Sequence, residues 1–280
     1  MAENRQVLGS LFMLASVFFF SAQLSFLKHA SLSLHPFEVL FLRNAVAAAF
    51  MGVAFVVAGP TLLVGWRVFA IRAGFGFLAG LCLFYANANS ALAAVAIIFH
   101  ARIFPLTGLA RLTLGERVSP CRWLGVAAGF LGILLIIMPE RWNAWSLGLL
   151  AALGAALLSA ASQVAVKALT EANAPLTVVA YSQLAFAIMS MAPAVSVWKA
   201  PEPWELAAIT MGAAGGGLAM LAAAKAFSLA PASAVSPVDN IGIFVSALIG
   251  WVIFGETLSW NVALGGLLVS VSTIFVTTRT

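Results

Sequence analysis

Charge is scarce in this sequence. Asp, Glu, Lys and Arg make up 8% of its 280 residues, where a soluble domain carries about a quarter. That shortage leaves too little polar surface to cover a water-soluble globule of this size. Cysteine is scarce too, with two residues, Cys82 and Cys121, both in apolar runs and with no CxxC, which excludes a disulfide framework. The three histidines, His29, His35 and His100, lack metal-ligand spacing. There is no glycine-rich phosphate loop and no GxSxG, and neither a cofactor nor a metal is expected. The net charge of +5 does not point to nucleic acid, because the basic residues are scattered at the ends of apolar segments.

What remains is apolar: 63% of the chain is hydrophobic and the mean hydropathy is +1.07. The solvent is therefore mostly lipid. Ten segments are long enough to span it, at about 7–27, 37–57, 68–88, 92–112, 119–138, 145–166, 176–198, 204–227, 233–254 and 259–277. Turn signals separate them, among them HP at 35–36, GP at 59–60, NAP at 173–175 and APEP at 200–203. The first segment exceeds a usual signal-peptide core and no clear cleavage site follows it, so it is expected to be a retained span.

Lys and Arg set the orientation. With the N-terminus cytoplasmic, Arg5, Arg67, Arg72, Arg111, Arg117, Arg122, Lys167, Lys225 and Arg279 lie at inner ends. Lys28, Arg141 and Lys199 lie at outer ends. This bias, together with an even number of spans, predicts that both termini are cytoplasmic.

The chain also repeats itself. LGERVSPCRWLG (114–125) parallels FGETLSWNVALG (254–265), and IFHARIF (98–104) aligns with VDNIGIF (238–244), both at an offset of 140. Lys28 and Pro36 match Lys167 and Pro175 at an offset of 139. The expected units are 1–142 and 143–280, with five spans each. An odd number of spans inverts the second unit relative to the first, which is a transporter architecture with a site near the midplane.

The two Gly-Glu turns, L-G-E-R at 114–117 and F-G-E-T at 254–257, and above all the stretch AFSLAPASAVSPVDNIGIFVSALIGWVIFGE at 226–256, resemble the drug/metabolite transporter superfamily, EamA type. The resemblance covers nearly the whole chain. It implies an all-α, ten-helix permease of the cell inner membrane, built of two inverted repeats around a central cavity. It also implies a small-molecule cargo, often an exported amino acid or other metabolite. It leaves the choice between monomer and homodimer open. Pro105 fills a position where members often carry proline, but Val245 stands at its repeat equivalent.

Polar residues inside spans are the candidates for function. An arginine at a span centre costs about 2.5–3.5 kcal/mol to insert. Arg102 lies deep in its span and needs a partner or a wet cavity. Asp239 is the acidic residue well inside a span. The repeat alignment sets it opposite Phe99, about 6 Å from Arg102 along the membrane normal. Two readings stay open. In one, Arg102 holds a substrate anion and Asp239 takes an amino group or a proton. In the other, the two form a structural ion pair between the halves. His100 lies two residues from Arg102, so on a continuous helix it faces another way. It is either a proton relay, since imidazole titrates near neutral pH as a class, or a helix-to-helix contact. Asn240 is its repeat equivalent.

Pro105 bends the helix and is a candidate gate or a static kink. Arg43 is a candidate anion binder, with Glu38 a poor helical partner for it. Gln23 and Gln163 on the first and sixth spans are a candidate amide pair. Tyr85, Tyr181 and Gln183 are weaker candidates for cavity lining. The tryptophans near span ends read as an interfacial belt, and GAAGGGLA (212–219) reads as a close helix contact.

The function expected from the sequence is secondary transport of a small polar metabolite (amino acid, organic anion or other zwitterion) by alternating access, with a proton as a possible coupling ion. The alternatives are a lipid flippase of the same fold and an intramembrane enzyme. Against the enzyme stands the lack of a nucleophile–base pair.

Overall fold

In the computed structural model the described residues are 2–114, 120–137, 144–170, 172–229, 238, 241–257 and 259–278. They are helical almost throughout. The elements are α1 (Ala2–Ala30), α2 (Pro36–Ala58), α3 (Trp66–Asn89), α4 (Leu92–His100), α5 (Ile103–Leu114), α6 (Pro120–Ile137), α7 (Ala144–Thr170), α8 (Pro175–Val195), α9 (Pro203–Leu229), α10 (Ile241–Phe254) and α11 (Trp260–Thr278). Seven stretches are long and apolar enough to cross a membrane, and Trp123–Ile137, Ile241–Phe254 and Trp260–Val276 are shorter apolar helices.

Local chemistry sets the helix ends. At the start of α2, Phe37 N donates to His35 Nδ1 and His35 N donates to Glu38 Oε2, a reciprocal cap with Pro36 at the first turn. The helix stops at Gly59, whose φ of +90° favours glycine. α8 and α9 also begin on prolines.

The span expected at 92–112 is two helices. Pro105 has no N–H for the Ala101 carbonyl, and its ring crowds that carbonyl. The chain answers with a tight turn in which Arg102 N bonds Phe99 O at 3.2 Å and Phe104 N bonds Ala101 O at 3.0 Å. The break therefore falls one turn before the proline and puts Arg102 in the gap.

Helix pairing follows the two sequence repeats in three dimensions. The principal contacts are α1 with α9, α3 with α7, α6 with α11, α2 with α8, and α4 with α10. The repeat equates α1 with α7, α2 with α8, α3 with α9, α4–α5 with α10, and α6 with α11. Under that exchange the α1–α9 pair becomes α7–α3, and each of the other three pairs maps onto itself. This is the contact pattern of a pseudo-two-fold axis.

Polarity runs inside out. Val53, Val57, Trp251 and Val252 are each at least 64% exposed, while Glu38 and Glu205 are 1% exposed and Lys28, Asn44 and Asn87 are buried. An apolar rim around polar groups suits a lipid solvent. α4 departs from this pattern, because it touches little lipid. Leu92 through Ile98 are all buried, with α4 packed against α3, α7, α10 and α11.

Candidate functional site

The helices enclose a central cavity of about 750 Å³. α1 contributes Met13, Ser16, Phe20 and Gln23, whose spacing of three and four residues places them on one face. α2 contributes Arg43, Ala47, Phe50 and Met51; α7 contributes Gln163; α8 contributes Gln183; and α9 contributes Ala213–Leu221 apart from Gly215. His100, Arg102, Ile103 and Leu106 come from the broken span. Along α1 the lining runs from Met13 to Gln23 and stops short of the helix end that carries Lys28.

Arg43 is held by two neutral side chains. Its Nη1 donates to Asn44 Oδ1 at 2.9 Å and to Gln183 Oε1 at 3.4 Å. Its Nε is buried with no hydrogen-bond partner among the described residues, and the same is true of Gln23 Oε1. Both atoms belong to residues that line the cavity but are themselves withdrawn from it, so a ligand meets them only if the side chains turn. Gln163 Nε2 reaches Ser159 Oγ at 3.4 Å. Arg102 lies over the Phe99 ring, 4.6 Å from its centroid, and its Nη1 donates to Phe99 O at 3.4 Å.

α9 must approach α1 closely for this wall to form. A Cβ at Gly216 would collide with Gln23 Oε1, whereas one at Gly217 would meet only Met51 Cε at 3.7 Å. Gly216→Ala is expected to displace the Gln23 amide and weaken ligand binding about tenfold, the loss of about one hydrogen bond. Gly217→Ala should bind as the parent does. Ligand titration of the two purified variants checks the difference.

The opposite end of the molecule is closed by carboxylates. Lys28, at the end of α1, forms an ion pair with Glu256, donates to Ser90 O at 2.8 Å and lies 5.2 Å from the Phe254 ring centroid. Glu256 Oε2 also accepts from Leu92 N at 2.8 Å, so it caps α4 from the other half of the chain. Glu38 accepts the backbone N–H of Lys199 there, and Glu205 accepts from Ser33 Oγ and Glu202 N. Glu38 is thus fully occupied away from Arg43.

The structure gathers some of the residues singled out from sequence and disperses others. Gln23, Arg43, His100, Arg102, Gln163 and Gln183 line one cavity. His100 and Arg102 both line it because the helix breaks between them, which overturns the expectation from a continuous helix. Asp239 and Asn240 lie outside the described residues, as does Glu116. Tyr85 is 38% exposed at the end of α3, and Tyr181 stands edge-on to Phe55, Trp66 and Phe69, so neither lines the cavity.

Two residues taken as flanking charges are internal. Lys28 is buried in the far-side cluster, and Arg72 lines a second chamber beside the main cavity. The signal for Arg72 was its place six residues inside α3. For Lys28 and Glu256 it was the conserved offset of the repeat landmarks, which marks positions but does not pair them.

The model of the EamA-like transporter family matches residues 7–138 and again residues 146–278. A riboflavin transporter of Vibrio cholerae is 30% identical over 184 residues, 65% of this chain and 61% of that protein. A second riboflavin transporter, of Rhizobium johnstonii, is likewise 30% identical, and the chain spans 60% of its length. The pseudopaline exporter CntI of Pseudomonas aeruginosa is 27% identical over 270 residues, 95% of this chain and 94% of that one. One solved crystal structure superimposes with a TM-score of 0.67 at 18% identity, covering 95% of both chains, and shares the fold.

Proposed function

The chain belongs to the EamA-like transporter family, and from that premise we propose that it carries a small polar metabolite with an acidic group across the membrane by alternating access. The observation that carries this reading is the cavity between the two halves, where the buried Arg43 guanidinium stands among Gln23, Gln163 and Gln183. Relatives bear the names of different cargoes, riboflavin and pseudopaline among them. The cargo of this chain is therefore read from its own cavity wall.

In this reading ten spans form two inverted halves that rock around the cavity. Arg43 takes a carboxylate or another oxyanion with charge-assisted hydrogen bonds. Gln23 Oε1 accepts from a donor on the same molecule. Arg102, at the break that Pro105 creates, meets the substrate nearer the cavity mouth. His100 beside it is the candidate proton carrier. Asp239 remains the acidic residue that the repeat alignment offers to Arg102. The far-side cluster of Lys28 and Glu256 closes one exit and must open for the other state to form.

Counterflow in proteoliposomes tests the reading. Vesicles loaded with unlabelled amino or organic acids should accumulate at least one labelled acidic metabolite with saturation. Arg43→Ala should lower that flux about tenfold to a hundredfold, the value of a hydrogen bond to a charged group. Transfer of labelled lipid between leaflets without metabolite flux would instead favour a flippase, and chemical conversion of the label would favour an enzyme.

A further inference from the structure

Beside the main cavity lies a chamber of about 260 Å³. Phe20, Gln23, Arg43 and Gln163 line both spaces, so the two adjoin. The chamber adds a second guanidinium, that of Arg72. Gly76, one turn further along α3, makes room for it, since a Cβ there would occupy the position of Arg72 Nη1. Arg72 Nη1 donates to Ser162 Oγ at 2.6 Å, and the guanidinium lies 5.0 Å from the Phe186 ring centroid. Its Nε, like that of Arg43, is buried and unpartnered among the described residues.

Both arginines are therefore held through Nη1, and their Nε atoms are closed off from either space, so what the chamber receives from each is its positive charge and the rest of its guanidinium edge. Each hydrogen-bond partner of theirs among the described residues is neutral: Asn44 and Gln183 for Arg43, Ser162 for Arg72. No carboxylate is among the described residues that line the chamber. Two cations in one low-dielectric space repel each other and want two negative charges nearby. A single monocarboxylate leaves one of them unmatched.

We propose that Arg43 and Arg72 form a two-cation subsite and that the transported molecule carries two negative charges, as a dicarboxylate or as a phosphate. This rests on the carrier reading and narrows its substrate class. Arg43 holds one oxyanion at the junction with the main cavity. Arg72, positioned by Ser162 and Phe186, holds the second, and the aromatic walls of Phe20 and Phe186 take the apolar part between or beside them.

Binding to the purified full chain, read as a thermal shift at pH 8, tests this without any flux measurement. The probes are succinate, inorganic phosphate, butyrate as a monoanion of succinate's length, and succinamide as its neutral counterpart. Succinate, phosphate or both are expected to bind at least tenfold more tightly than butyrate. Arg72→Gln should abolish that advantage of the dianions over butyrate. Arg72→Lys keeps the charge but loses the planar fork. It should cut the ratio at least threefold, and it carries the test if Arg72→Gln does not accumulate.

Preference for succinate alone identifies a dicarboxylate, and preference for phosphate alone identifies a phosphate. The proposal is overturned if butyrate or succinamide binds as tightly as the dianions, if no dianion binds, or if neither Arg72 variant changes the ratio. Dianion binding without counterflow of any metabolite would sink the carrier reading instead.

Discussion

Lys28→Met is expected to destabilise the protein by about 3–5 kcal/mol, because it leaves the Glu256 carboxylate buried without its counter-charge. Both members of the pair are largely withdrawn from solvent, with side chains 10% and 15% exposed. Glu256→Gln should cost less, since the amide oxygen still accepts from Leu92 N. The double variant Lys28→Met, Glu256→Gln should recover most of the loss of Lys28→Met, because no uncompensated charge remains. Denaturant unfolding in detergent reads all three. If the single effects simply add, the two groups are not energetically coupled and the ion pair does not hold this end closed.

The same substitutions bear on transport. Lys28, Ser90, Leu92 and Glu256 join the end of α1, the α3–α4 junction and the turn after α10. These elements must separate for the cavity to open at this end. Weakening the pair should populate that open state at least about tenfold more, the shift that 1.4 kcal/mol produces. A cysteine placed at Phe20, which lines the cavity, would report it in a background without Cys82 and Cys121. A membrane-impermeant thiol reagent applied on the far side should modify it about tenfold faster in Glu256→Gln than in the parent. Equal rates would mean that closure rests elsewhere, with Glu38, Glu202 and Glu205 as the other carboxylates at that end among the described residues.

Gly265→Val is the second large effect expected, at about 3 kcal/mol or more, the upper range for overpacking. A Cβ at Gly265 would lie 2.6 Å from Gly132 O, and one at Gly132 would lie 2.8 Å from Gly265 O. A side chain can swing away from such a clash, but a helix carbonyl cannot. The α6–α11 seam would have to part, and with it the buried cluster that includes Ile133, Ile136, Val262 and Val269. Gly52→Ala is the control, because no atom lies within 4 Å of its added Cβ. Size-exclusion profiles and thermal unfolding should show the Gly265 and Gly132 variants losing folded yield and the Gly52 variant unchanged. Equal stability of the three would show that the two helices do not meet backbone to backbone.

Much of the fold is legible in the chain because lipid imposes it. Long apolar runs have to become helices where backbone groups find no water. The prolines at 36, 175 and 203 mark helix starts that the structure reproduces. Pro105 also announced a bend, but its position depended on the carbonyl it displaces, so the break appears at Ala101–Arg102. That one-turn offset turns His100 and Arg102 toward a common cavity.

The candidate site was legible by residue type and hidden by partnership. A guanidinium in an apolar span is conspicuous, and Arg43 and Arg102 were found that way. Arg72 was absorbed into the count of flanking charges because it stands near a span end. Its guanidinium reaches inward along α3 over Gly76, which depends on side-chain direction. Tyr85, Tyr181 and Gln183 are equal candidates in sequence, yet of the three Gln183 alone lines the cavity.

The sequence by itself determined the apolar character of the helices, the two-fold repeat and the kinship, because each follows from local composition or from the internal offset of about 140 residues. Only the tertiary structure decided which charges meet. Lys28 and Glu256 are 228 residues apart, and Arg43 and Gln183 are 140 apart. The reason is physical: periodicity along a chain fixes which face a side chain takes on its own helix, while its partner is chosen by how the two halves dock.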